Sequence, residues 1–257
     1  MDKTAVYEEL EKGFVSTFME ELLPGVLHNF ANPLNGIMGR SKLLQRRLEE
    51  AIKKMEARLP GFAQDFGSEK IMKDVNIISE ESDRFFMLFG DLSRKFMSLT
   101  RREPEKINLS QLIEAEMRFA DFYLDFKHDL QKDIRLDMEL PDIIGSTADY
   151  SLAITTFLIS AKERTKNSLR KEFSITTDHD AEMISVTIKD SGEEVSQACQ
   201  QLAGAAMKDL DLNLLPQRER LMGGAFFLFK YYGARVEIGY EKGDNKIILY
   251  LPILADR

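Results

Sequence analysis

Residues 23–48 read LPGVLHNFANPLNGIMGRSKLLQRRL, and the spacing of the apolar residues in this stretch decides the fold of the first part of the chain. Apolar residues and one serine recur at alternating intervals of four and three, at Leu23, Leu27, Phe30, Leu34, Ile37, Ser41, Leu44 and Leu48. This heptad-like spacing forms one continuous seam along a helix, as in helical bundles. It predicts one long helix from about residue 8 to about residue 58.

A second amphipathic helix follows a loop that contains Pro60, Gly61 and Gly67. Its apolar stripe is interrupted by Ser82 and consists of Ile71, Val75, Ile78, Phe85, Leu88, Leu92, Phe96 and Leu99. Two long helices with a short connection form an antiparallel hairpin. Because one hairpin cannot bury both stripes completely, we predict that a second copy pairs with it in a homodimeric four-helix bundle. The alternative is that the following domain folds back over the stripe.

A second domain begins after the charged, proline-containing segment RREPEK, residues 101–106. Beyond this junction helical and strand patterns alternate, and Asn108 or Ser110 is the expected cap of the first helix. Helices are predicted at 107–126, at 148–166 and up to Gly233, and strands at 134–140, 172–179 and 183–190, with a closing hairpin across Gly243. This order is typical of an α+β protein with helices on one face of a sheet. We therefore predict a dimeric helical-hairpin domain at 8–102 and an α/β sandwich domain at 105–257.

The composition limits the class of partner and the compartment. The net charge of −8 argues against a nucleic-acid partner, because phosphate binding requires a basic surface. The single cysteine, Cys199, forms no intrachain disulfide and fits a reducing compartment. The N-terminus lacks the apolar core of a signal peptide, and no apolar stretch approaches the roughly 18 residues that span a bilayer. We expect a cytoplasmic protein without a membrane span, so any membrane-spanning partner is another chain.

His28 and Asn32 are the candidate functional residues of the long helix. With Leu27 and Phe30 on the seam, His28 and Asn32 lie one helical turn apart on the outer face, where a partner can reach them. Pro33 removes the amide hydrogen that would bond a carbonyl one turn earlier, which costs about 3 kcal/mol inside a helix. Such a proline beside an exposed histidine indicates a functional kink, and the alternative is a surface histidine on a kinked helix.

The string from His28 to Leu34, HNFANPL, resembles the H-box of histidine-kinase dimerisation and phosphotransfer domains, whose usual form is His-Glu/Asp-x-x-Asn/Thr-Pro-Leu. The resemblance implies that His28 is phosphorylated and that Asn32 can position a water when a partner's acyl phosphate is hydrolysed. Asn29 stands where the family has an acid, which serves as the general base when the histidine attacks ATP. Because an amide cannot take a proton at neutral pH, this departure from the family's pattern favours transfer from a phosphoaspartate over transfer from ATP.

The layout of residues 107–253 is similar to the Bergerat-type ATPase domain of the same family. The segment VTIKDSG, residues 186–192, resembles the strand followed by Asp-x-Gly. The resemblance implies that Asp190 would hydrogen-bond the adenine amino group and that Gly192 would let the backbone approach the nucleotide. Ser160, with Thr156 one turn earlier, stands where the family places a magnesium-binding Asn, and a hydroxyl is a weaker ligand.

The glycine loop of the ATPase family also departs from its pattern. Its two glycine positions fall at Glu219 and Leu221, and Gly223 and Gly224 lie about one turn later. A glutamate at this position would repel a triphosphate. We therefore predict that the nucleotide site is vestigial and that no cofactor binds, with ATP and magnesium required only under a kinase interpretation.

These features predict a phosphorelay protein of histidine-kinase architecture, a histidine phosphotransferase. It would exchange a phosphoryl group between His28 and the aspartates of response-regulator receiver domains without ATP, and a separate sensor kinase is a further expected partner. One alternative is an ATP-dependent cytoplasmic sensor histidine kinase with a divergent nucleotide site, and another is a non-catalytic protein that binds a receiver or a kinase. His128 and His179 have no partner at metal-ligand spacing, so we predict no metal site. Cys199 is predicted to be inert.

Overall fold

The structure is a computed structural model that describes residues 3–18, 22–57 and 68–253. The described residues fall into two compact units. The hairpin unit lies within Pro24–Leu92, and the sheet unit combines residues of Met1–Leu23 and Ser93–Arg257. Within the described ranges, no helix has the length and apolar character that crossing a membrane requires.

The helices are defined along the described chain as follows. The α-helices are α1 (Lys3–Thr17), α2 (Leu23–Ala57), α3 (Ser68–Thr100), α4 (Leu109–Ala120), α5 (Leu124–His128), α6 (Thr147–Thr165), α7 (Gln197–Gly204) and α8 (Arg220–Tyr231). Between α7 and α8 the chain forms short 3-10 turns at Met207–Asp209, Leu212–Leu214 and Gln217–Glu219.

The strands form a small sheet and a larger one. The strands are β1 (Pro104–Ile107), β2 (Gln131–Arg135), β3 (Ile143–Ser146), β4 (Glu172–His179), β5 (Met183–Asp190), β6 (Arg235–Glu241) and β7 (Asp244–Pro252). β1 and β3 pair antiparallel, and the larger sheet has the order β2-β4-β5-β7-β6. Only the β2–β4 pair of the larger sheet is parallel among the described strands.

The core of the sheet unit lies between one face of the larger sheet and a layer of helices. Alternate residues of the central strands, such as Ile175, Val186 and Leu249, are buried, and β5 and β6 contact α6 and α8. In the helix layer, the ring of Phe157 lies 5.7 Å from that of Phe226. Because each buried side chain of this size stabilises the fold by roughly 1.5–3 kcal/mol, this two-layer packing holds the sheet against α6.

In the hairpin unit, α2 and α3 run antiparallel. The rings of Phe30 and Phe85 lie 5.5 Å apart, and further along α2 the guanidinium of Arg40 lies 3.3 Å from the carboxylate of Asp74. Arg47 pairs with the same carboxylate, which is buried. Two arginines two turns apart on α2 thus bind a single carboxylate on α3, which fixes the register of the two helices.

The α+β class, with helices on one face of a sheet, is confirmed. The strands β4 and β5 have the predicted bounds, α6 lies within one residue of its predicted bounds, and α3 spans the predicted stripe from Ile71 to Leu99. The single helix predicted at 107–126 is instead two helices, α4 and α5. Asn108 caps α4 by accepting a hydrogen bond from the Gln111 amide. Gly233 and Gly243 have φ values of +80° and +86°, the left-handed conformation that a helix end and a tight hairpin require.

Other elements differ from the prediction. The helix predicted from 8 to 58 is described as α1 and α2, and α1 belongs to the sheet unit. The strand predicted at 134–140 is β2, at Gln131–Arg135, because this edge strand has no apolar alternation. The four-residue strands β1 and β3 and the eight-residue helix α7 had no prediction. The pairing of two copies stays a prediction.

Candidate functional site

The residues of the H-box-like string lie in α2, which continues through Pro33. The backbone of His28 is helical, and its side chain lies outside the described residues. Asn32 is exposed, as the outer-face prediction requires. Asn29 is buried, and its amide group donates a hydrogen bond of 2.8 Å to the Gly25 carbonyl. The side chain that replaces the family's acid therefore makes a hydrogen bond within its own helix.

Asp190, at the end of β5, is closed in by an ion pair in the sheet unit. Its carboxylate is 1% exposed, and the guanidinium of Arg164 on α6 lies 2.5 Å from it. Asp190 also accepts hydrogen bonds from the Gly192 amide at 3.1 Å and from the Asn245 side chain at 2.9 Å. The loop after β5 is thus tied to both α6 and β7 through this one carboxylate.

Gly192 is required by a close approach to the end of α6. A Cβ atom at Gly192 would lie 2.5 Å from the carbonyl carbon of Arg164 and 2.7 Å from its oxygen. The next amide, of Glu193, donates a hydrogen bond of 3.2 Å to that same oxygen. The Asp-x-Gly turn therefore packs directly on α6, and the contact of its glycine is with the protein's own backbone.

Glu219 is buried and faces the start of α7. Its carboxylate accepts a hydrogen bond of 3.0 Å from the Ser196 amide and another from the Ser196 hydroxyl. Ser196 in turn caps α7 by accepting from the Cys199 amide. The acid at the family's glycine position thus anchors a neighbouring helix.

Gly223 and Gly224 both lie inside α8 and pack against other side chains. A Cβ atom at Gly223 would lie 2.6 Å from side-chain atoms of Leu212 and Leu215. At Gly224 it would lie 3.3 Å from Leu10 of α1. The two glycines therefore allow close contacts of α8 with the turn segment before it and with α1.

A cavity of about 430 Å³ runs along α6 in the sheet unit. Its lining includes Thr156, Ser160 and Arg164 on α6, Leu221 at the start of α8, and Phe14 on α1. The volume falls within the range of small-molecule sites. Ser160 and Arg164 thus face one space, whereas His28, Asn29 and Asn32 belong to the hairpin unit.

The residues present do not fit an adenine nucleotide with magnesium. The buried carboxylate of Asp190 already accepts hydrogen bonds from protein donors, and Glu219 adds a buried carboxylate where phosphates would need amide donors. The Thr156 hydroxyl donates to the Leu152 carbonyl at 2.8 Å, so it serves its own helix. The sequence prediction missed Arg164, because nothing in the charged run KER, residues 162–164, marks one cation as buried.

The remaining candidates have structural partners. The Nδ1 atom of His179 lies 2.9 Å from a carboxylate oxygen of Asp137, and with Asp178 these ligand atoms lie within 4.8 Å of one another. The group is largely exposed, and acidic groups of this kind are common on protein surfaces. Burial and the neighbouring Glu219 raise the pKa of the Cys199 thiol to about 12. Because the thiolate is the reactive form, Cys199 has little nucleophilic character at neutral pH.

Solved structures similar to the chain include histidine kinases. The Acinetobacter baumannii histidine kinase AdeS is 12% identical, with 81% of this chain and 98% of that chain covered and a TM-score of 0.46. A nucleotide-free form of the catalytic domain of histidine kinase ThkA is 12% identical, with 60% and 99% covered and a TM-score of 0.49. For the mycobacterial sensor histidine kinase MprB the identity is 15%, the coverage 59% and 97%, and the TM-score 0.41.

At the level of sequence, no protein-family model and no curated protein matches the chain. The identities and TM-scores of the structural neighbours describe a similarity and do not assign an activity to this chain.

Proposed function

We propose that this chain is a phosphorelay protein of histidine-kinase architecture, which carries a phosphoryl group on His28 and exchanges it with response-regulator aspartates without using ATP. The observation that carries the proposal is the string from His28 through Asn32, Pro33 and Leu34 within one helix, with Asn32 exposed one turn from His28. An exposed position is what transfer between two proteins requires.

The transfer step needs no general base on this chain. The unprotonated ring nitrogen of a neutral His28 imidazole attacks the phosphorus of an aspartyl phosphate on the receiver. The N–P bond forms as the bond between phosphorus and the carboxylate oxygen breaks, and the proton on the other ring nitrogen leaves to solvent. The carboxylate is a good leaving group, so the replacement of the family's acid by Asn29 is compatible with this direction. In the hydrolysis of an acyl phosphate, Asn32 would orient the attacking water.

The decisive experiment mixes the full chain with receiver domains that carry radioactive phosphate on aspartate. We expect label to move to the wild-type chain and to be absent from the His28→Ala variant. Asn35→Ala, at another exposed position of α2, is the matched control and is expected to accept label as the wild type does. Failure of the wild type to take label from any receiver of a broad panel would rule out phosphotransfer and favour a binding protein.

A second labelling assay, without a receiver, distinguishes the proposed phosphotransferase from an ATP-dependent kinase. Radioactive ATP with magnesium is expected to leave His28 unlabelled. Labelling of the wild type by ATP alone, lost in His28→Ala, would instead establish an ATP-dependent histidine kinase.

The homodimer is part of the proposal, and the burial of the hairpin unit supports it. Among the described side chains of residues 24–92, the buried hydrophobic ones are Val26 and Ala51. On α3, Met87 and Phe89 are 65% and 54% exposed. Two helices of this length bury far more apolar surface in a bundle than in a single hairpin, so a second copy is the occupant that the seam fits.

Phe89→Glu is expected to convert the dimer to a monomer. The ring is more than half exposed in one chain, so its replacement costs little within the hairpin and places a charge on the exposed apolar surface of α3 that would pack against a second copy. We expect the dissociation constant, measured by analytical ultracentrifugation, to rise by at least roughly tenfold. Asp83→Ala, at an exposed polar position of α3, serves as the control. A wild-type chain that sediments as a monomer at all concentrations would contradict the dimer.

A further inference from the structure

Arg164 fills one inner corner of the cavity along α6. Its guanidinium is 12% exposed, and one of its nitrogens lies 3.5 Å from the sulfur of Met222, which also lines the cavity. We infer that Arg164 is the specificity-determining residue that keeps adenine nucleotides out, by acting as a built-in ligand of Asp190, while carboxylates at the cavity rim exclude the phosphates. The inference deepens the proposed function and rests on it in one respect, the disuse of ATP.

The first barrier is the saturation of Asp190. A carboxylate has about four acceptor sites. Two N–H groups of Arg164 donate to Asp190, at 2.5 Å and 3.3 Å. The amide of Gly192 and the side chain of Asn245 supply the other two donors, at 3.1 Å and 2.9 Å. Three of these donors bond Oδ1 and one bonds Oδ2, and the carboxylate is 1% exposed, so an amino group of a ligand cannot reach it while Arg164 is in place.

Displacement of Arg164 by a neutral donor is unfavourable. The guanidinium makes charge-assisted hydrogen bonds, which are roughly twice as strong as those from a neutral amino group. A ligand that pushed Arg164 aside would also leave the buried carboxylate of Asp190 without its counter-charge. In the wild-type chain, Arg164 therefore stays bound to Asp190 and is not displaced by the amino group of a purine.

The second barrier is the negative charge at the other side of the cavity. Its lining includes the exposed carboxylates of Glu163, Glu193 and Glu194 and the buried one of Glu219. Arg218 is already paired with Glu193 at 2.9 Å. The C-terminal end of α6 lies here as well and adds partial negative charge from the helix dipole. With Lys166 also in the lining, the four carboxylates outnumber the two cations other than Arg164, and this excess of negative charge disfavours a triphosphate whatever the state of Asp190.

Because the two barriers act on different parts of a nucleotide, adenosine and ATP separate them. We expect isothermal titration calorimetry to detect neither ligand with the wild-type chain at millimolar concentration. In Arg164→Ala, adenosine should bind at least roughly tenfold more tightly than to the wild type, the factor that a hydrogen bond to a charged acceptor supplies. ATP should bind this variant more weakly than adenosine does. The double variant Arg164→Ala with Asp190→Asn should lose the gain.

The matched control is Arg218→Ala, which removes an arginine from the same cavity and leaves Asp190 paired. It is expected to show no gain in adenosine binding. Circular dichroism must show that Arg164→Ala is folded, and Arg164→Gln, whose amide still donates one hydrogen bond, is the second variant where it is not. A folded variant of either kind without a gain would overturn the inference, as would ATP binding to the wild type.

These outcomes are independent of the phosphotransfer test. Label on His28 from a receiver, together with ATP binding to the wild type, would overturn the role of Arg164 and leave the proposed transfer standing. Absence of label, together with a gain of adenosine binding in Arg164→Ala, would overturn the proposed transfer and leave the role of Arg164 standing.

Discussion

Replacement of Lys95 by alanine is expected to lower the free energy of unfolding by roughly 3–5 kcal/mol, the range for removing one partner of a buried ion pair. The ammonium group of Lys95, near the end of α3, is 1% exposed and lies 2.8 Å from the carboxylate of Glu116 on α4. It also donates to the hydroxyls of Ser151 and Thr155 on α6, at 2.8 Å and 2.5 Å. Without Lys95, Glu116 would stay buried with no counter-charge.

Burial and the Glu116 carboxylate act in opposite directions on the pKa of Lys95, and burial has the larger effect. Burial lowers the pKa of Lys95, and the Glu116 carboxylate opposes this by raising it. Glu116 also accepts hydrogen bonds from the hydroxyls of Ser151 and Thr155, at 2.6 Å and 2.7 Å. The cluster is therefore satisfied on both sides, which is the condition under which a buried ionic network specifies a packing arrangement. It joins the last turns of α3 to α4 and α6 within the sheet unit.

Urea unfolding followed by circular dichroism measures the effect of Lys95→Ala. Lys189→Ala, at an exposed position of β5, is the control and should change the unfolding free energy by no more than about 0.5 kcal/mol. Adding Glu116→Gln to Lys95→Ala should recover part of the loss, because a neutral amide costs less to bury than a carboxylate. A loss below about 1 kcal/mol for Lys95→Ala would mean that water reaches the cluster and replaces the ammonium group.

The sequence predicts well those elements in which the order of apolar and polar residues follows the burial of each position in the fold. The strands β4 and β5 alternate buried and exposed residues along their length, and the final hairpin carries a glycine where φ is positive. The strand β2 has no alternation of buried and exposed residues, because it lies at the sheet edge and its side chains are exposed except for the half-buried Lys132.

The charged residues with the largest structural roles could not be found from sequence. Arg164 and Asp190 are separated by 26 residues, and Lys95 and Glu116 by 21. A charged side chain on an amphipathic helix is normally solvated, so the pattern gives these residues no distinction from their exposed neighbours. Their pairing depends on the order of strands and helices in the folded sheet unit. The H-box-like string differs, because its spacing along a single helix already places His28 and Asn32 on one face.

Asp190→Ala is expected to lower the free energy of unfolding by roughly 3–5 kcal/mol while leaving phosphoryl transfer to His28, per folded molecule, unchanged. The substitution leaves the largely buried guanidinium of Arg164 without its partner and removes acceptors from the amide of Gly192 and the side chain of Asn245. Under the kinase interpretation the same change would abolish phosphorylation, because Asp190 would hold the nucleotide.

Stability and transfer are therefore measured on the same preparation of Asp190→Ala. Urea unfolding gives the loss of stability, and label from a phosphorylated receiver is scaled to the folded fraction at the assay temperature. Asp209→Ala, at an exposed position in the first 3-10 turn, is the control for both measurements. A stable Asp190→Ala that no longer accepts label would show that Asp190 takes part in transfer. A destabilised one with full transfer would show that the Asp-x-Gly turn serves as an anchor between β5 and α6.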